Sequence, residues 1–514
     1  MADSLFDLLT DTIFSIDSGD APSELTLPGV LARLGRGEPT EFRALQPHQQ
    51  HAWHAFLVQL GALALHASHS DAVARPESDW RAMLLALSGG AAEPWCLIVN
   101  DLAKPAFMQP PVPERSLKGW AEILVPDAID ILVTARNHDL KSARIVAPAP
   151  EHWVYALVTV QTMAGYAGPK NYGIARMNSG YGNRPCVAAA RDLGFASRFQ
   201  RDLDVLTSAR SGMIESHGYR PDGGAALLWT LDWSGAASDR LSLESCDPFF
   251  VEVARRIRLV RGASDSITAM QKGSATARIN SADRKGDLGD PWVPVSREGL
   301  ALTAKNLSYR KLCEILFSGG YAENAARHLR ADDGDSPILL AEVFARGQGK
   351  TEGFHERTIP VPQKVRRFFS DPTRGEQLAA LARDFLQLAD DAGKKVLKPA
   401  VLALLQGGPD QINFKDDRAS PQLKNFDAGI DQVFFARLFD LADHPADEAQ
   451  AAWRAELIEI ARRILTDSYD SVPIPVARRY RAIAMAERRL SIAARKFAPE
   501  AFVKEESSDG PATA

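Results

Sequence analysis

Residues 374–405, RGEQLAALARDFLQLADDAGKKVLKPAVLALL, decide how this chain is read. Their apolar positions return at helical spacing for the whole stretch, which predicts one long amphipathic helix. Three more segments downstream have the same character, over 421–442, 447–468 and 475–496. Gly407-Gly408-Pro409, His444-Pro445 and the run 472–475 punctuate them. Asp447 and Glu448 open the third helix and Arg462 and Arg463 lie near its end, as the helix dipole favours. Four amphipathic helices joined by short to moderate loops predict a four-helix bundle over 371–500. Residues 501–514 read as a disordered tail. The last helix carries Arg478, Arg479, Arg481, Arg488, Arg489, Arg495 and Lys496, a density that covers more than one face. A partner surface and ordinary pairing with bundle acids both fit it.

Upstream of Ser370-Asp371-Pro372 the pattern changes. A helix is predicted behind Pro47, with Trp53, Phe56, Leu60, Leu63 and Ala64 on one face. Short apolar or β-prone runs at 95–100, 131–134 and 226–231 sit among Pro- and Gly-bearing loops, and 154–163 fits helix or strand. Residues 1–370 therefore read as a large irregular domain of mixed helix and strand with long loops, and the whole chain as α+β. At 514 residues two or more cores are expected. The apolar share of 45% and charged share of 24% are those of an ordinary globular protein. No apolar run reaches the ~18 residues of a membrane span. The first residues are acidic, with no Lys or Arg before Arg33, so no secretory signal is read there. Cys96, Cys186, Cys246 and Cys313 stand singly, which argues against a disulfide framework and fits a cytoplasmic protein.

The densest chemistry lies in GPKNYGIARMNSGYGNRP, residues 168–185. Four glycines and three asparagines bring backbone N–H groups within reach of a partner, and Lys170, Arg176, Arg184, Tyr172 and Tyr181 suit phosphates and bases. No GxxxxGK[ST] or GxGxxG is present, so a nucleotide-hydrolysing loop is not expected. A long surface loop is the plain alternative. Between Val251 and Lys311 twelve Lys/Arg face six Asp/Glu, with Arg255, Arg256, Arg258 and Arg261 at the start. A phosphate-binding surface or a solvated face with acids from elsewhere accounts for that balance equally. His48, His51, His54, His66 and His69 cluster without a carboxylate among them and without HExxH, so they read as polar-face histidines and no metal site is expected. Asp332, Asp333 and Asp335 read as a solvated acidic turn. No strong catalytic signature emerges.

The order of features resembles the CasA family, the large subunits of type I-E CRISPR Cascade surveillance complexes. Pro105-Ala106-Phe107-Met108-Gln109 is similar to the family's Pro-Phe-Met-Gln segment, and Arg201-Asp202-Leu203-Asp204-Val205-Leu206 follows the glycine loop as in the family. Leu228-Trp229 and Cys246-Asp247-Pro248 resemble its Phe-Trp and Cys-Asp-Pro pair, and residues 315–329, ILFSGGYAENAARHL, its Gly-Gly-Tyr segment. The resemblance implies a non-catalytic subunit that reads a flanking motif in target double-stranded DNA, helps open it, and recruits a helicase–nuclease. Its implied partners are the other Cascade subunits and the CRISPR guide RNA. It implies DNA contacts by Asn171, Tyr172, Gly173, Ala175, Arg176 and Asn178, and by Asn324, Ala325, Ala326 and Arg327. It also implies guide-RNA or loop contacts by Arg136, Asn137, His138, Lys141 and Arg144. The family's wedge glutamine falls at Ala325, and the two Cys pairs that hold zinc in some relatives are missing, so no structural zinc and no cofactor is expected. The competing readings are a metal-dependent nuclease using the His138 region or the clustered histidines with a metal, and a scaffold that binds only proteins.

Overall fold

The computed structural model describes residues 4–18, 22–131, 145, 147–178, 180, 182–262, 266–317, 319–347, 350–474 and 476–500. Arg136, Asn137, His138, Lys141, Arg144 and the 501–514 tail lie outside the described residues. The fold is α+β, in two compact units. One comprises residues 1–307 and 320–360; the other takes 308–319 and the chain from Val361 onward. The helices Tyr309–Leu316 and Gln363–Ser370, on the N-terminal side of the boundary expected at 370, thus belong to the helical unit.

The first unit is built around the helix Gln50–Ala67. The sequence predicts one apolar face, yet nearly every residue of this helix is buried. The helices Glu77–Leu87, Pro150–Met163 and Phe195–His217 pack on it, and Leu27–Gly35 packs on the first and last of these. Trp53 meets Phe14, Phe42, Phe56 and Tyr155, with ring centroids 5.2–5.7 Å away. Around this centre lie small sheets of two or three strands each. The longest strands form a hairpin, Ile338–Gly347 against Lys350–Pro360, with Cys186–Ala190 on its other edge.

The short family-like motifs hold this unit together. Gln109, fully buried, donates to Leu97 O and Phe107 O and accepts from Leu259 N at 2.6 Å. Arg201 grips Asp333 at 2.6 Å and donates to Ala326 O and His328 O, while Asp202 accepts from Trp292 Nε1 at 2.7 Å. Asp333 is therefore a buried ion-pair partner and not part of a solvated turn. Asp247 pairs with Arg210 through both oxygens, at 3.0 and 2.7 Å. Buried backbone groups and charges need partners, and these side chains supply them where the irregular backbone does not.

In the second unit the long helices run Pro372–Asp391, Lys398–Leu405, Ser420–Asp440, Ala446–Ser471 and Val476–Phe497. Asp371 caps the first, accepting from Thr373 N at 2.9 Å, with Pro372 in the first turn. The single helix expected over 374–405 is interrupted by a π turn, Ala392–Leu397, just before Pro399. Proline has no N–H to continue the α ladder, and the wider turn absorbs the mismatch. Trp453 stacks on Phe385 at 4.9 Å and donates its indole N–H to Phe385 O. Ala482, Ala486, Leu490 and Ala494 line the buried side of the last helix, which packs close to Lys398–Leu405. Some of its arginines meet bundle acids: Arg481 meets Asp410 at 3.3 Å and Arg479 meets Asp470 at 2.5 Å.

Candidate nucleic-acid interface

The glycine loop is three backbones laid side by side. On one edge of residues 164–167, Gly165 N donates to Gly182 O and Tyr166 N to Gly180 O, both at 2.9 Å. On the other edge Ile174 N donates to Ala164 O at 3.0 Å and Ala167 N to Asn171 O at 2.9 Å. A Cβ on Gly173 would sit 2.8 Å from the backbone of Gly165 and Tyr166, closer than real atoms come. Glycine at 173 is thus dictated by space inside the loop, so Gly173→Asp would disturb the loop itself before any partner. Gly180 answers a different need, a left-handed φ of 83°.

Two arginines pin the loop from beneath. Arg255, buried, donates to Gly165 O at 2.8 Å and to Tyr172 O. Arg176 points inward, corrected from the phosphate-facing role the sequence suggests. Its guanidinium lies 3.8 Å over the Phe250 ring, donates to Phe250 O at 3.0 Å, and stands 3.4 Å from Glu252 and 3.5 Å from Asp290. Ala175 is buried with it, and its N–H donates to Glu252 at 2.6 Å. Asn171, Tyr172, Gly173 and Asn178 remain half-buried at the surface of the unit.

The loop forms one wall of a cleft of about 560 Å³. Tyr166, Tyr172 and Asn178 line it from the loop, and Arg240 and Lys285 from the segments opposite. The two tyrosine rings lie 6.1 Å apart. Among the described residues that line the cleft there is no Asp or Glu. Lys285 is exposed, held by a left-handed backbone of φ 51°, and has no carboxylate in ion-pair range among the described residues. Arg240 donates to the side chain of Asn280. Aromatic faces, amide-rich backbone and two cations without an acid form a surface for an anionic, flat-sided ligand. Sequence reading missed Lys285 and Arg240 as site residues, although Lys285 lies in the basic zone and precedes a glycine.

The zone's other members stand elsewhere. Arg256 pairs with Glu114 at 2.6 Å, and the buried Arg258 donates to Val99 O and Lys104 O. Four of the zone's twelve cations, Arg255, Arg256, Arg258 and Arg278, are thus buried scaffolding, a correction for that part of the zone, while Arg261, Lys272, Lys285, Arg297 and Lys305 stay exposed.

The Asn324–Arg327 segment is also corrected. Asn324 donates to Val187 O and Pro291 O, both at 2.7 Å, and Ala326 is completely buried with its N–H on Pro291 O. Arg327 is buried, and desolvation pulls its guanidinium below its ordinary pKa. Only Ala325 is exposed, so this turn is a packed corner and not a floor for a DNA groove. Of the clustered histidines, His48, His51 and His54 are buried as well, while His66 is half-buried and His69 exposed. His48 bonds Asp130 at 2.7 Å and His54 bonds Asp202 at 2.8 Å, both buried.

No protein-family model matches the sequence, and no curated protein does. Solved structures match through the fold. CasA (Cse1) of Thermus thermophilus aligns over 96% of this chain and 100% of its own, with a TM-score of 0.62 and 13% identity. Cse1 of Acidimicrobium ferrooxidans aligns over 97% and 99%, at 0.63 and 16% identity. Cse1 of Thermobifida fusca aligns over 97% and 98%, at 0.64 and 14% identity. The chain has the CasA (Cse1) fold over nearly its whole length.

Proposed function

We propose that this chain is the large subunit of a type I-E Cascade complex and reads a short flanking motif in target duplex DNA through the glycine-loop cleft. One observation carries the reading: the fold matches CasA (Cse1) structures across almost the full length of both chains. In such a complex guide-RNA pairing reads the sequence, and the protein needs only a small duplex-reading surface. A minor groove ~6 Å wide admits backbone, small residues and a single extended cation. The cleft offers Asn178 and loop backbone beside Lys285 and Arg240. The phosphate role expected of Arg176 passes to these two exposed or half-buried cations. The other subunits, the guide RNA and a helicase–nuclease that cuts the opened target are the partners this reading requires, and the chain itself supplies no catalysis. No helix among the described residues is long and apolar enough to cross a membrane.

The test is duplex binding by the assembled complex over a range of salt. Lys285→Ala and Arg240→Ala should each weaken binding and flatten the salt slope by about one unit, with the subunit's melting temperature unchanged. Unaltered affinity and slope in both variants would remove the cleft from DNA reading. Failure of the chain to enter the guide-bearing assembly would remove the wider assignment.

A further inference from the structure

Cys186 and Glu342 are direct partners in the antiparallel pairing of Cys186–Ala190 with Ile338–Gly347. The central helix crosses this point and brings His51 to them. One ring nitrogen of His51, the Cys186 sulfur and a carboxylate oxygen of Glu342 all lie within 4.8 Å of one another. All three residues are at most 3% exposed. Neither ring nitrogen of His51 has a hydrogen-bond partner among the described residues, nor does Glu342 Oε2. Buried polar atoms are almost always satisfied, and the neighbouring His48 and His54 each hold a carboxylate. His51 is the exception, and it faces a thiol and a carboxyl group.

We propose that His51, Cys186 and Glu342 bind a zinc ion. Imidazole nitrogen, thiolate sulfur and carboxylate oxygen are its usual donors, and three protein ligands leave one place in a tetrahedral shell. Bond lengths to zinc set donors ~3.5 Å apart, so binding draws these groups together by about an ångström. Burial keeps His51 in the neutral form that ligates, well below its usual pKa; Arg184, Arg198 and His54 push the same way. Burial also holds the proton on Cys186. The ion displaces that thiol proton and any proton on Glu342, and thiolate and carboxylate together balance its two charges. Arg198 Nη2, without a hydrogen bond among the described residues, lies 3.8 Å from Glu342 Oε2, the oxygen that also stands 3.8 Å from His51 Nδ1, and is placed to steady the carboxylate. The site is sealed, so the ion enters as the chain folds and ties the central helix to the sheet. This site is independent of the cleft and of the Cys pairs that hold zinc in some CasA relatives.

The experiment is expression of the untagged full-length chain in zinc- or cobalt-supplemented medium, with the metal counted by elemental analysis after gel filtration. About one ion per chain is expected, and the cobalt form should show a thiolate-to-cobalt charge-transfer band in the near ultraviolet. Cys186→Ala should lose the band and most of the metal, whereas Cys96→Ala, at a separate buried position, should keep both. Glu342→Gln preserves shape and should retain at least tenfold less metal through dialysis against a chelator. Wild-type chain without metal, or with metal and no charge-transfer band, overturns the proposal even if the variants fold poorly. So does a Cys186→Ala chain that binds as much metal as wild type. Metal-free wild type would leave a bridging water as the partner of His51.

Discussion

Arg176, Arg184, Arg201, Arg210 and Arg255 are all buried in the first unit, and each ends on a carboxylate or on backbone carbonyls. Asp290 serves two of them, lying 2.6 Å from Arg184 and 3.5 Å from Arg176. Glu252 faces the same pair, and burial pushes its carboxyl up to about 7 although Arg176 pulls it down. The folded pKa therefore stands above the ordinary value. Between roughly pH 4.5 and 7 the native state keeps a proton that the unfolded chain has released. The contribution of Glu252 to stability is full below that window and is lost as pH rises through 7. Glu252→Gln should remove this slope, up to ~1.4 kcal/mol per pH unit across the window. Denaturant midpoints of both proteins from pH 5 to 8 measure it, and parallel curves would refute it. At Ala326 the expectation concerns space. The residue is completely buried, so Ala326→Trp should destabilise the fold by ~1–3 kcal/mol or more. An unchanged melting temperature would show the corner to be open after all.

Helices and loops differ in how far their local sequence foretells them. The second unit's helices keep one side in water, so apolar spacing marks them to within a few residues. Gln50–Ala67 is apolar nearly all round, and the periodicity that would have located its faces is blurred by burial on every side. The π turn before Pro399 follows from one missing N–H, visible in the sequence yet read there as continuous helix. Glycines divide in the same way. Gly212 lies inside Phe195–His217, more than a turn from its end, and a Cβ there would meet nothing within 4 Å. Gly212→Ala should therefore stabilise the protein by ~1 kcal/mol, read as a higher denaturant midpoint with unchanged slope. A loss of stability would mean that the exposed face of this helix is under a constraint other than propensity.

The helical unit is discontinuous in sequence. The Tyr309 ring meets Phe434 at a tilt, centroids 4.9 Å apart, and its hydroxyl donates to Asp427 at 2.7 Å, while Arg310 pairs with Asp390 and Asp427. Leu312, Cys313 and Ile315 are buried on the same short helix. A fragment from Val361 to Glu500 lacks this helix and should bare the apolar surface it covers. It should melt less cooperatively than the unit does in the intact chain and bind a hydrophobic dye. Added peptide 308–319 should raise its melting temperature. A fragment that melts sharply, binds no dye and ignores the peptide would show the short helix to be dispensable.

Composition and helical spacing sufficed for the α+β class, for more than one core and for the four long helices, because those properties depend on residues close in sequence. The order of short motifs pointed to the CasA fold for a related reason. Several of the motifs are buried staples, such as Gln109 or Asp247, whose place in the chain is set by the backbone or charge they must satisfy. Which cations reach solvent was settled only in three dimensions. Arg176 and Lys285 are equally basic in sequence, but Phe250, Glu252 and Asp290 enclose the first, while a left-handed turn holds the second at the mouth of a cleft. The meeting of His51, Cys186 and Glu342 has the same origin. Helix and sheet bring together residues far apart in the chain, and no local pattern records that contact.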